Sequence, residues 1–229
     1  MNERIKRLRE YIFDKHHHAL RRTAEEAGLI GLADEMKAAG MSYQMRAAIR
    51  LKRMLEAETP VILPDERIVV TRTIKDIPSI YTKEEWDEIA QTHYLHEKGD
   101  LCNISPNYDA MLRKGLGAMM DEVRERQKDT ALAAEQKEFL ESEMVCLKAI
   151  QDLILRYAGK AETEKDAALA DTLRNISSQA PQTLREALQF LRVMHFCLWE
   201  AGHYHNTLGR FDQYIYILCT RCREWPTYS

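Results

Sequence analysis

Apolar residues recur every three or four positions along most of this chain, the spacing of helices rather than strands. Ile5, Leu8, Ile12 and Leu20 mark a first stripe. Met45, Ile49, Leu51 and Leu55 mark a second, which Ser42 is placed to cap. Trp86 and Ile89 follow Thr82-x-x-Glu85, a capping box in which a hydroxyl and a carboxylate satisfy backbone N–H groups that lack an intrahelical partner. Met111, Leu112, Gly115, Leu116 and Met119 form a further stripe, its helix expected to start from Ser105 as N-cap with Pro106 in first position. Two more stripes are Phe139, Met144, Leu147, Ile150, Leu153 and Ile154, then Leu169, Leu173 and Ile176. The clearest helix carries Leu184, Ala187, Leu188, Leu191, His195 and Leu198, opened by a second capping box at Thr183 and Glu186.

Two stretches break the period. Pro60 stops a helix, Pro64-Asp65 makes a turn, and Ile68-Val69-Val70 is a short β-prone run. At Gly202 the helical spacing fails again, and His203 to Thr207 is polar but rich in β-formers, which predicts a short strand. Alternation on that strand puts His205 and Thr207 on one face and Asn206 on the other, with the inward face left open. The pattern is therefore mainly α with a few short strands, in one domain without internal repeats.

Composition narrows the partners. The 229 residues are 45% hydrophobic and 30% charged with a net charge of −3, which gives no electrostatic case for nucleic acid or an anionic membrane. The longest apolar run, near residues 188–199, is interrupted by Arg192 and is too short to span a bilayer. The charged N-terminus lacks an apolar signal core, so the cytoplasm is the expected compartment. Arg46, Arg50, Lys52 and Arg53 read as a solvated helix face or as partners in salt bridges. Three consecutive residues, His16 to His18, point around a helix rather than at one metal ion. Cys146 and Cys197 lie among apolar residues and read as core thiols, while Cys219-x-x-Cys222 stands alone without a second pair. No metal site is expected.

Pro181-x-Thr183-x-x-Glu186-Ala-Leu-Gln189, a helix ending near Glu200, then Leu208-Gly-Arg-Phe-Asp-Gln-Tyr-Ile-Tyr216 resembles the pyruvate formate-lyase-like domain of glycyl radical enzymes. The dehydratase and C–N or C–S lyase branch is the nearer likeness. Pro64-Asp-Glu-Arg-Ile-Val-Val70, Ser105-Pro-Asn-Tyr108 and Arg156-Tyr-Ala158 follow the family in the same order, with Val70 where the family commonly has Gly. The resemblance covers roughly residues 40–214. It implies the helical N-terminal part of a β/α barrel, as a partial domain over 1–216.

The family's chemistry uses a backbone glycyl radical, installed by an activating enzyme with S-adenosylmethionine and an iron–sulfur cluster, which oxidises an inner-loop cysteine to a thiyl. Neither that cysteine nor an Arg-Val-x-Gly-Tyr-like loop is recognisable in this sequence. The resemblance thus implies a truncated radical lyase or dehydratase of a small polar substrate, inactive alone, with no catalytic residue and no cofactor in this chain. One alternative is a subunit of a split enzyme, completed by another chain or acting as a homodimer. Another is a helical protein-interaction module. Residues 217–229 depart from the family, and the expectation is an out-of-frame tail or a broken gene.

Site residues carried by the resemblance are few. Asn103 falls where the family commonly has His; an amide is no general base, but it donates and accepts hydrogen bonds. As a plain loop residue it needs no such role. His205 and Thr207 are the substrate-binding candidates on the predicted strand, since a hydroxyl near Thr207 contacts substrate in relatives. Arg210 and Asp212 read as a structural ion pair or hydrogen-bond network.

Overall fold

The computed structural model describes residues 1–92, 104–203 and 205–221, with side chains as far as 216, and almost every predicted stripe becomes one helix. In chain order these are α1 (Glu3–Phe13), a short 3₁₀ helix (His16–Leu20), α2 (Leu32–Ala38), α3 (Tyr43–Ala57) and α4 (Lys83–Gln91). Then come α5 (Tyr108–Gln127), α6 (Ala134–Thr163), α7 (Ala167–Ile176), α8 (Leu184–Glu200) and α9 (Phe211–Arg221). The last of these runs past 216 without a break.

The thirty residues of α6 make a rod of ~45 Å, and α3, α5, α7 and α8 pack along it. Tyr157, Leu153 and Ile154 of α6, Leu169 and Leu173 of α7 and Phe190 of α8 are almost wholly buried in this main core. A smaller cluster of Leu29, Leu32, Met36, Met54, Ile74 and Ile80 packs under the N-terminal segments. By contrast α1 buries none of its side chains. The stripe at its surface is real but uncovered: Ile12 is 49% and Phe13 69% exposed, and Arg7 holds the helix in place through Asp65.

Both capping boxes form. Thr183 Oγ1 accepts from Glu186 N–H at 3.2 Å while the Glu186 carboxylate accepts from Thr183 N–H at 3.1 Å, and Thr82 with Glu85 repeats the arrangement. Ser42 caps α3 as expected. At α5 the cap lies two residues later than the sequence suggests: Asn107, not Ser105, accepts from Ala110 N–H, and Pro106 stands outside the helix. Helix α5 is also kinked at Gly115 (φ 69°, ψ 170°), where a Cβ would lie 2.4 Å from the Ala180 backbone. A Cβ on Gly117 would meet the Ser178 carbonyl oxygen at 2.1 Å. The two glycines let α5 touch the 178–180 backbone, and Gly117 N–H donates to Ser178 C=O there at 3.1 Å.

The β-prone run at 68–70 is irregular, with a bend at Ile68 and φ 101° at Val70, and joins no ladder, which corrects the strand expected there. Side chains take the place of a neighbouring strand. The Gln189 carboxamide of α8 accepts from Val69 N–H at 2.9 Å and donates to Val69 C=O at 3.1 Å. Arg192, one turn on, donates to Val70 C=O at 2.6 Å. The Glu58 carboxylate accepts from Thr73 N–H at 2.8 Å and Ile74 N–H at 3.1 Å, and Arg156 donates to Leu55 C=O and to the Glu58 carbonyl. A buried irregular segment keeps its backbone polar groups paired in this way.

Of the two readings of the cationic stripe of α3, salt bridges form at Arg46, Lys52 and Arg53, while the solvated face fails for two residues. Arg46 and Arg50 are buried rather than solvated. Arg46 pairs with Glu85 at 2.8 Å and donates to two carbonyls, while Arg50 donates to Pro78 C=O and Ala201 C=O. Lys52 and Arg53 do stay at the surface, beside Glu56 and Glu35.

Substitutions at two positions probe the 58–82 segment. Gln189→Leu strands both polar groups of Val69 in the core and is expected to lower unfolding free energy by about 3 kcal/mol or more, read from urea melts. Val70 has φ 101°, a region that favours glycine, although its side chain is buried. Val70→Gly is therefore expected to be more stable than Val70→Ala by about 1 kcal/mol, a reversal of the usual order that the same melts detect.

Candidate functional site

The C-terminus of α8 delivers the chain into the segment that sequence spacing marked. Ala201 caps the helix and Gly202 (φ 95°) turns it: Gly202 N–H donates to Trp199 C=O and His203 N–H to Leu198 C=O, each at 2.9 Å. This is a Schellman motif, which needs the left-handed residue that glycine supplies. Arg50 of α3 closes the end by donating to Ala201 C=O at 2.8 Å. A cation there also suits the negative pole of the helix.

Beyond the turn the chain meets the stretch just before α5. Ile104 N–H donates to His205 C=O at 3.3 Å and Thr207 N–H donates to Ile104 C=O at 3.1 Å, a single parallel bridge between Ile104 and Asn206. The predicted strand is reduced to that one bridge. Asn206 locks it: its side-chain oxygen accepts from the Tyr108 hydroxyl at 2.9 Å, and its amide donates to His203 C=O at 2.5 Å. Tyr108 is buried, and burial pushes its hydroxyl pKa up to about 12, so it stays a donor.

The candidate residues distribute around this seam. His205 and Thr207 are both exposed, on the face opposite the Asn206–Tyr108 bond, and Thr207 Oγ1 accepts from Gly209 N–H at 3.1 Å. Asn103 lies outside the described residues, but its chain neighbour Ile104 is bonded to both His205 and Thr207. Arg210 and Asp212, expected to form an ion pair or a hydrogen-bond network, are both exposed, and no salt bridge joins them. Arg210 instead offers its carbonyl to Gln213 N–H, and Asp212 sits in the first turn of α9, where a carboxylate favours the helix dipole. Tyr108 and Asn206 are the members the sequence reading passed over. Their only signal was Tyr108 in the Ser-Pro-Asn-Tyr helix start, and the parity that sets Asn206 against His205 and Thr207.

Thiol chemistry finds no footing among the described residues. Cys197 is buried in α8 and burial raises its thiol above the ordinary range, while Cys146 is half-buried and pushed up to about 11. Both are inert core thiols in form. Cys102 and Cys222 lie outside the described residues, and of Cys219 only the backbone is described. No group of three or more His, Cys, Asp or Glu among the described residues could hold a metal ion. No helix there is long and apolar enough to cross a membrane.

Residues 71–221 match the family model described as pyruvate formate lyase-like. The chain belongs to this family. A curated relative, the probable dehydratase YbiW of Escherichia coli (strain K12), is 29% identical across 50% of this chain. Solved structures share the fold. The glycerol-bound B12-independent glycerol dehydratase of Clostridium butyricum superposes with a TM-score of 0.74 over 95% of this chain, at 19% identity. The structure describing 1,2-propanediol dehydration in Roseburia inulinivorans gives 0.75 over 96% at 21%, and a glycyl radical enzyme of Archaeoglobus fulgidus 0.70 over 88% at 21%. This chain spans 16% of the curated relative's length and 36%, 35% and 35% of the three solved chains. The described residues are thus the helical part of the pyruvate formate lyase-like fold and include no barrel.

One buried acid at the end of α8 makes stability depend on pH. Glu200 is fully buried, neither carboxylate oxygen has a partner, and burial together with the Glu58 charge pushes its pKa up to about 9, with Arg72 opposing. Between the ordinary value of 4.5 and about 9 the folded chain holds a proton that the unfolded chain releases. Stability contributed by this group therefore falls as pH rises through that window, at up to ~1.4 kcal/mol per pH unit. Glu200→Gln is expected to abolish that decline and to melt higher than the parent at about pH 8, as thermal melts across the window measure.

Proposed function

We propose that this chain is the N-terminal helical wall of a glycyl radical dehydratase or lyase acting on a small polar substrate. The observation that carries the reading is the family match over 71–221 in a chain whose fold is that of two dehydratase structures. The seam between Ile104 and Asn206 supplies the local geometry: it holds Thr207 and His205 on one exposed face, beside the position that follows Asn103. On this reading Asn103, His205 and Thr207 give hydrogen bonds to the hydroxyl or other polar groups of the substrate, and Tyr108 with Asn206 fixes the backbone that carries them. The radical itself belongs to a glycine and a cysteine outside these described residues, and an activating enzyme installs it in the cytoplasm. Residues 1–229 alone are inactive. Turnover needs the barrel, on the same polypeptide or on a complementing chain, and the intact assembly follows the family in being able to form a homodimer.

A second reading, a helical protein-interaction module, draws on α1, whose apolar face is left uncovered. Behaviour in solution separates the two: a module is monodisperse with one cooperative melt, whereas a wall without its barrel self-associates.

The test is anaerobic incubation with the activating enzyme. The chain alone is expected to show no glycyl radical signal and no dehydration of glycerol or 1,2-propanediol. Supplied with a family barrel, it is expected to turn over substrate, with Thr207→Val raising KM about tenfold. Turnover by the chain alone, or an unchanged KM in that variant, would overturn the assignment.

A further inference from the structure

Along α8, a cavity of about 250 Å³ lies between Arg21, Arg72, Arg192, His195, Phe196 and Trp199. No carboxylate is among these lining residues, and none of them belongs to the Ile104–Asn206 seam. Three guanidinium groups facing one small space repel each other, and burial disfavours their charge further. Structures tolerate this when something anionic belongs there.

The hydrogen-bond donors tell the same story. Arg192 spends one nitrogen on Val70 C=O. Arg21 Nε and Arg72 Nη1 are buried from solvent without a hydrogen-bond partner, and among the described residues neither arginine has a carboxylate within 4.0 Å. Such donors are costly to leave unmade. Glu200, Glu58 and Asp76 act on Arg72, and Glu58 on Arg21, only from beyond ion-pair distance; Glu58 is already held by Thr73 and Ile74. The Arg72 guanidinium carbon lies 3.7 Å from the centroid of the Trp199 ring, a cation–π contact that holds it at the cavity wall.

We propose that this cavity is a binding site for a phosphate group, inorganic or carried on a short organic ester. Planar guanidinium forks match the oxygens of a phosphate, and the three that line this space come from three different segments of the chain. The volume equals that of about eight liquid waters, room for a phosphate and a short carbon chain. Phe196 and Trp199 give that chain an apolar wall.

The experiment is a calorimetric titration of the whole 229-residue chain with inorganic phosphate and with glycerol 3-phosphate, at ionic strength held constant with sodium chloride, alongside acetate. The Trp199 indole N–H resonance is followed in parallel. One saturable phosphate site per chain is expected, with Trp199 shifting and with Arg21→Gln and Arg72→Gln each weakening it at least about tenfold. Arg113→Gln, at an exposed pair with Asp109, leaves it unchanged. Tighter binding of the ester assigns the site to phosphate esters, and equal binding assigns it to free phosphate. Acetate binding as well as phosphate, a titration that chloride reproduces, or affinity untouched in both arginine variants would each overturn the proposal. If a variant loses its near-ultraviolet dichroism, the native protein decides alone: no phosphate-dependent shift at Trp199 rejects the site.

Discussion

A buried stretch of chain that belongs to no helix must still pair its N–H and C=O groups, and the arrangement of this molecule follows from how residues 58–82 meet that demand. The partners are side chains from helices far along the sequence, together with Glu58 at the end of α3. Gln189 holds both polar groups of Val69, Arg192 holds Val70 C=O, Arg156 holds the end of α3, and Glu58 holds Thr73 and Ile74. Gln189 and Arg192 tie the segment to α8 and Arg156 ties it and the end of α3 to α6, so α3, α6 and α8 are fixed relative to one another through it. The strain at Val70 is tolerated because both its neighbours and its own carbonyl are held.

The same logic positions the seam. An α-helix ends with unpaired carbonyls, and the last ones of α8 are answered by the Gly202 turn and by Arg50 from α3. That fixes where His203 starts and which way the chain leaves. One bridge to Ile104 and one side-chain bond from Tyr108 to Asn206 then suffice to set the register. Parity does the rest, because residues flanking Asn206 must face the other way. The exposed face with His205 and Thr207 is thus a consequence of Tyr108 claiming Asn206.

Residues that look alike in sequence part company in the fold. Arg46 and Lys52 stand on one helix six positions apart, yet Arg46 is buried against Glu85 and backbone carbonyls while Lys52 lies at the surface. Helical phase separates them, but only the 78–82 segment lying over α3 makes the phase matter. Ser105 and Asn107 are both good caps; the bridge at Ile104 keeps the chain extended there and leaves the helix to begin from Asn107. Gly115 sat in an apolar stripe and read as one more helical position, since nothing local announces the 178–180 backbone that presses on it.

What the sequence determined by itself is local: where α3, α4 and α8 begin, that α8 ends at Gly202, and that most of the chain is helical. Capping boxes, helical periodicity and the left-handed preference of glycine act within a few residues, so they can be read without a fold. The family resemblance was legible too, because its motifs keep their order along the chain. Tertiary structure decided which polar side chains serve the backbone and which face solvent. Gln189 clamps Val69 across 120 residues, Arg50 reaches Ala201 across 151, and three arginines from separate segments converge on one cavity. Those pairings are set by the packing of helices on α6, and no periodicity in the sequence encodes a partner that distant.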